Sequence, residues 1–255
     1  MRTTAMRKAM LTLLGCLWLA ADWSVAAEKV NVVVLTGSNN HNWQQTTPAL
    51  RTILVQSGRF NVDVVSEPEK LTQQVLAEYD VLLSNWNNWR GGDSKDPAVP
   101  WSSELKKAYV EFVENGGGHV MIHAGSASFF DWEDYQKIAC ATWNPGKTSH
   151  GPSHEFDVRM TAATHPVTQG VKSFRTTDEL WVRPLVQPEV KVLTQAYSVI
   201  TKDWEPSAMV KQFGKGRCFT LLLGHSSEYM QSAGFQTLLL RGTEWAASGG
   251  IADGP

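Results

Sequence analysis

Cysteine is scarce in this 255-residue chain: Cys16, Cys140 and Cys218 are the only three, and none forms a CxxC pair. A disulfide framework and a thiol redox motif are therefore excluded, while a single Cys140–Cys218 bridge in an oxidising compartment stays open. Membrane-length apolar runs are missing too. The longest, "AMLTLLGCLWLAA", lies near the N-terminus and falls short of the roughly 20 residues a spanning helix needs. Arg2, Arg7 and Lys8 precede it and "SVAA" follows, which is the layout of a secretory signal peptide cleaved after Ala27. The expectation is an exported protein, periplasmic or extracellular, with no transmembrane segment once residues 1–27 are removed. "LLGC" offers a lipoprotein alternative through Cys16, disfavoured by the bulky Leu14 and by the apolar run continuing past the cysteine. Cleavage would take the formal charge from −2 to −4, and no basic patch invites nucleic acid. Repeats, low-complexity tracts, a GxSxG serine motif and an HExxH metal motif are also absent.

What remains is a chain long enough for one large α/β domain, 28–248, followed by a short tail, 249–255. "KVNVVVLTG" reads as a strand buried on both faces. A helix follows, with Thr47 expected as N-cap, Pro48 at its first position and Gly58 as its stop. "RFNVDVVSEP", a short helix from about Glu69, and "YDVLLSN" continue the alternation. "SSELKKAYVEFVENGGG" is a capped amphipathic helix, and "HVMIH" is the next strand. This rhythm predicts an open, mainly parallel sheet wound on both faces. From His150 the segments "SHEFDVRMT", "DELWVRPL", "VKVLTQAY", "AMVKQFG" and "GRCFTLLLGH" read as antiparallel β additions, before a closing helix in "GFQTLLLRGTEWAAS".

Ligands of such sheets bind beyond the carboxyl ends of the strands. Three histidines fall there: His41 after the first strand, His123 after "HVMI", and His225 after "TLLLG". The loop "SNNHNW" that carries Asn40, His41, Asn42 and Trp43 is more polar than a strand–helix turn requires, and it reads as a ligand loop or, alternatively, as one that satisfies its own backbone. His41, His123, His150, His154 and His225, with Asp178 or Glu179, could also supply a divalent metal such as zinc. Ser126 or Ser128 with His225 as base is a weaker nucleophilic alternative. His119 and His165 read as structural.

Tryptophan is abundant, with 11 in the chain and nine after Ala27. Trp43, Trp86, Trp89, Trp101, Trp132 and Trp143 sit among Asn, Gly and Pro, a setting that suits aromatic faces stacking on sugars, or simple core padding.

"VVVLTGSNNHNWQQTTPALRTIL", "FVENGGGHVMIHAGSASF", "HGPSHEFDV", "THPVTQGVKSFRTTDELW" and "FGKGRCFTLLLGHSSEY" occur in one register over about Lys29 to Ala247, and in this the chain resembles the ThuA-like, or trehalose-utilisation, family. The resemblance implies a flavodoxin-like doubly wound core similar to class I glutamine amidotransferases. Those enzymes carry a cysteine where this chain has His123, so thiolate glutamine hydrolysis is not expected. It also implies disaccharide catabolism alongside a sugar-oxidising dehydrogenase that makes 3-keto glycosides, with metal linked to some members.

The expectation that follows is a small-molecule carbohydrate enzyme acting on a 3-keto glycoside. His123 would be base or ligand, His225 the partner acid or ligand, and Glu179 would orient a histidine or accept a hydroxyl. Asn40, His41, Asn42 and Ser126 would bind substrate, and Trp43, Trp86 and Trp89 would stack on it. A non-catalytic carbohydrate-binding protein and a metal-dependent hydrolase of another substrate are the alternatives.

Overall fold

A computed structural model describes residues 28–89 and 100–251. The expected signal peptide, Cys16, part of the polar loop after Trp89 and the end of the tail lie outside the described residues.

The elements run in chain order β1 (Val30–Leu35), α1 (Trp43–Gln56), β2 (Phe60–Val65), α2 (Gln73–Leu76), β3 (Val81–Ser84), α3 (Ser103–Glu114) and β4 (Gly118–Ile122). A tight 3-10 turn, His123–Ser126, precedes α4 (Glu133–Ile138), β5 (Ala141–Thr142), β6 (Ser149–His150), β7 (His154–Met160) and β8 (Phe174–Asp178). Then come β9 (Trp181–Val182), β10 (Leu185–Val186), β11 (Lys191–Ser198), β12 (Asp203–Phe213), β13 (Gly216–Leu221) and α5 (Ala233–Ser248).

Nine strands form one mixed sheet in the order β2-β1-β3-β4-β13-β12-β11-β7-β8. The first five are parallel to one another and the remaining junctions are antiparallel. The expectation of a mainly parallel sheet is thus corrected, since half of the junctions among the described residues are antiparallel. The cause is the length of the connections. Helical crossovers end at β4, and the short β11–β12 and β12–β13 turns can only join antiparallel neighbours.

β1 shows why the parallel half is buried on both faces. Val32 and Val34 pack with Leu50, Ile53 and Leu54 of α1 and with Leu238 and Leu239 of α5, whereas Val33 and Leu35 face Leu105, Tyr109 and Val113 of α3. Each such side chain contributes about 1.5–3 kcal/mol by leaving water. α3 begins as expected, with Ser102 Oγ accepting from the Leu105 amide.

α1 begins earlier than the sequence suggested. Asn42, not Thr47, is its N-cap, because the Asn42 carbonyl already accepts from the Gln45 and Thr46 amides. Pro48 consequently lies inside the helix, near an exposed Gln44 whose carbonyl water can reach. Thr46 and Thr47 are buried instead and bond to Asn85, with Thr47 also paired to Thr36. Cys140 and Cys218 are both buried and free, the Cys140 thiol donating to the Cys218 carbonyl at 3.5 Å. Burial pushes both thiols up, Cys140 to about 11.

Candidate functional site: a histidine–glutamate cluster

Strands β1, β3, β4 and β13 are successive neighbours, so the loops leaving their carboxyl ends emerge side by side. His41, His123 and His225 stand on three of these loops. Their rings meet edge to face, with centroids 4.9 Å apart for His41–His123, 4.5 Å for His41–His225 and 5.4 Å for His123–His225. His123 takes a left-handed backbone, φ 40°, where β4 stops and the 3-10 turn begins. Strain of this kind persists only where the surroundings over-determine it.

The carboxylate comes from the other half of the sheet. At the end of β8, buried Asp178 accepts from the amides of Glu179 at 2.8 Å, Gly224 at 2.7 Å and His225 at 3.1 Å. One side chain thereby ties the β8–β9 turn to the loop after β13 and carries Glu179 into the histidines. Burial pushes the Asp178 carboxyl up, against the pull of His123 and the three amides.

Glu179 reaches three imidazoles. Its Oε1 is 3.5 Å from His123 Nε2, and its Oε2 is 3.1 Å from His150 Nδ1 and 3.2 Å from His225 Nδ1. Burial would raise its proton affinity, but the contacts with His123 and His225 outweigh that and hold it well below the usual carboxylate range. The contact with Glu179 in turn raises His225, against its own burial. His41 is lowered to about 3, by burial first and then by the charges of His123 and His225, so it is neutral near pH 7.

Tautomers follow from the fixed acceptors. His123 Nδ1–H donates to the Leu222 carbonyl at 2.7 Å, and His41 Nδ1–H faces the amide oxygens of Asn39 and Asn40 at 3.2 and 3.0 Å. Nε2 is therefore the second proton-binding or metal-binding position of each ring. His123 Nε2 and His225 Nδ1 are buried without a well-formed hydrogen bond. One ligand atom from each of His41, His123, His225 and Glu179 lies within 4.8 Å of the others. Imidazoles oriented by oxygen acceptors at His41 and His123, orphaned buried nitrogens at His123 and His225, and an ionised carboxylate at Glu179 are the kind of donor set that suits a divalent cation.

Beside the cluster is a cavity of about 100 Å³ lined by Asn40, His41, His150 and Glu179 on its polar side, by Trp89, Trp143 and Trp181, and by Ala124 and Ala127. Larger hollows of about 340 and 450 Å³ lie elsewhere, but no histidine lines them. Chemistry rather than volume selects the smaller one.

The sequence model of the trehalose-utilisation (ThuA) family matches residues 31–246. The chain belongs to the ThuA family. Among solved structures, a ThuA-like protein from Parabacteroides merdae is 29% identical, with a TM-score of 0.77 over 89% of this chain and 93% of its own. One from Bacteroides uniformis is 19% identical, with a TM-score of 0.65 over 88% and 96%, a likeness of fold. A β-galactosidase from Bacillus circulans sp. alkalophilus shares the fold over 85% of this chain but only 31% of its own, at 12% identity and a TM-score of 0.55. No curated protein matches.

In this ThuA-family chain, His41, His123, His225 and Glu179 come together, and Asn40 and Trp89 line the cavity. Four expected substrate contacts do not. Trp86 is 1% exposed and packs against Trp101 and Phe129, so no face is free for a sugar. Ser126, the last residue of the 3-10 turn, is fully buried. Asn42 and Trp43 sit where α1 starts, and neither lines the cavity.

The polar loop is also partly its own support. Asn87 donates to Asn39 Oδ1, Asn40 Oδ1 and the Ala124 carbonyl, and Asn39 donates to the Asn85 carbonyl. Those asparagines bind the His41 loop to β3 and to the 3-10 turn. Trp181 is the lining aromatic that the sequence did not single out, whereas His150 is one of the five histidines read as possible ligands and Trp143 one of the six tryptophans read as suited to sugars.

Proposed function

We propose that this ThuA-family chain is an enzyme that cleaves 3-keto glycosides of the trehalose or disaccharide type, and that the histidine–glutamate cluster is its catalytic centre. The observation that carries the reading is the convergence of three imidazoles on one ionised carboxylate beside a tryptophan-lined cavity. A ketone at C3 acidifies the proton at C2. Nε2 of His123 takes that proton, and the electron pair passes into the enolate. Collapse of the enolate forms the C1–C2 double bond, and the C1–O bond breaks. His225, whose proton affinity Glu179 raises, gives its proton to the departing oxygen. Water then adds at C1 and a proton returns to C2, so the net change is hydrolysis.

His41, His123, His225 and Glu179 would hold a divalent ion such as zinc, which when bound polarises a ketone oxygen. His123 and His225 would then serve as ligands in place of their base and acid roles, and cavity-lining His150, outside that four-residue set, would be the imidazole left to move a proton. Trp89 stacks on the sugar and Asn40 meets its hydroxyls. In keeping with this chemistry, the protein works after a sugar dehydrogenase, is exported by way of residues 1–27, and has a flavodoxin-like parallel half, for which the β2-β1-β3-β4-β13 order speaks.

The test follows 3-keto trehalose by NMR with the wild-type chain and with His123→Ala, alongside zinc content of protein purified without added metal. Loss of at least about a hundredfold in turnover is expected, the usual size of an acid–base contribution. Full turnover by the variant would remove the centre of the scheme. The tryptophan wall also favours a second reading, a carbohydrate-binding protein, in which saccharide quenches tryptophan fluorescence while no bond changes.

A further inference from the structure

We propose that the cavity admits a single sugar ring seated on Trp143, so that the protein selects the oxidised ring and is indifferent to the group carried on its anomeric oxygen. The proposal rests on the keto-glycoside reading above.

Size is the first argument. Pockets that enclose a drug-sized ligand measure roughly 300–1,000 Å³, and this one, at about 100 Å³, is too small to enclose two sugar rings. At most one ring seats in it, and a second ring stays outside.

The walls supply the second. Trp181 is 2% exposed and closes the base, while Trp89 and Trp143 are only half-buried and keep surface toward the opening. Trp143 joins the two sides, its ring centroid lying 5.1 Å from Trp181, 5.6 Å from Trp89 and 5.8 Å from His150. It is also held in place. Its amide donates to the Ser126 carbonyl at 3.0 Å, and the next amide, Asn144, donates to Thr148 Oγ1 at 2.8 Å, which is itself anchored on the Arg183 carbonyl. A pyranose has apolar C–H faces and hydroxyl edges, which match an indole on one side and His41, His150 and Glu179 on the other.

Chemistry supplies the third. C1, C2 and the C3 ketone all belong to the ring inside the cavity, and the only atom of the leaving group that takes part is its oxygen.

The experiment compares kcat/KM for the 3-keto derivatives of trehalose, sucrose and methyl α-glucoside. The three values are expected within about tenfold of one another, the size of a single lost contact. Trp143→Ala should lower all three by a similar factor, about tenfold for one aromatic platform. Trp143→Phe, which keeps an aromatic face and guards against a folding defect, should stay within about threefold of wild type. A spread above about a hundredfold between leaving groups, or a Trp143→Ala loss confined to one substrate, overturns the single-ring proposal while leaving keto-glycoside cleavage standing. Consumption of none of the three overturns the keto-glycoside reading and this proposal with it.

Discussion

Replacing Asp178 by alanine should loosen the fold and the cluster together, because three amides converge on its buried carboxylate. A hydrogen bond to a charged acceptor contributes about 1.5–3 kcal/mol. The Glu179 amide belongs to the same turn and can find water. The Gly224 and His225 amides cannot without opening the loop after β13, so about 3–6 kcal/mol is at stake for those two. Burial of the carboxylate, visible in its raised proton affinity, offsets part of this. A net loss of about 2–4 kcal/mol remains. For a domain of this size, each kcal/mol moves Tm by roughly 2–4 °C, so calorimetry should record a fall of about 5–15 °C. Asp178→Asn, which keeps one acceptor oxygen, should fall between wild type and alanine. Zinc titration of the same variants should weaken in the same order, since both Glu179 and His225 are positioned by this carboxylate. An alanine variant that melts within about 2 °C of wild type would refute the reasoning, because two unreplaced buried amides cannot cost so little.

His41 is held at about 3 against an ordinary 6.5, so the metal-free folded state resists a proton that the unfolded chain accepts, and stability should fall as pH drops below 6.5. Glu179, held low, adds to that loss as pH falls below the usual carboxylate range, whereas His225, held high, contributes below 6.5 and loses its contribution as pH rises through its folded value. Urea titrations of His41→Gln at several pH values should show a flatter acid limb; an unchanged limb would count against a neutral, enclosed His41. Trp86→Ala should cost about 3–5 kcal/mol of stability as a core cavity, and if sugar affinity falls while stability holds, Trp86 faces ligand after all. Asn87→Ala removes the amide that ties Asn39 and Asn40 to Ala124, and it should lower turnover more than Tm; equal turnover would mean the His41 loop needs no such tie.

The three histidines were legible because apolar runs mark β1, β4 and β13, and parallel strands deliver their carboxyl ends to one edge. Glu179 could be proposed as a partner, but its arrival through Asp178 could not be read, since hairpin connections carry no periodic signal for where they return. β8 itself, Phe174–Asp178, escaped notice: Phe174, Thr176 and Asp178 alternate inward, but only one of them is apolar. Trp86 misled for a related reason. Asn85 and Asn87 made its neighbourhood look solvated, yet both are buried and bonded to other loops, which frees Trp86 to fill the core. That Trp143, Trp181 and His150 meet at one cavity could not be read, since His150 and Trp181 are brought together by the β6–β9 bridge and Trp143 follows the β5–β10 bridge, both too brief to leave a pattern.

The most direct measurement is an NMR time course in D₂O of the chain with 3-keto trehalose and, in parallel, with trehalose. The account predicts that only the keto sugar is consumed and that the released keto ring carries deuterium at C2, with neither change in His123→Ala. Cleavage that leaves the C2 proton in place, or no change in either sugar, would contradict it.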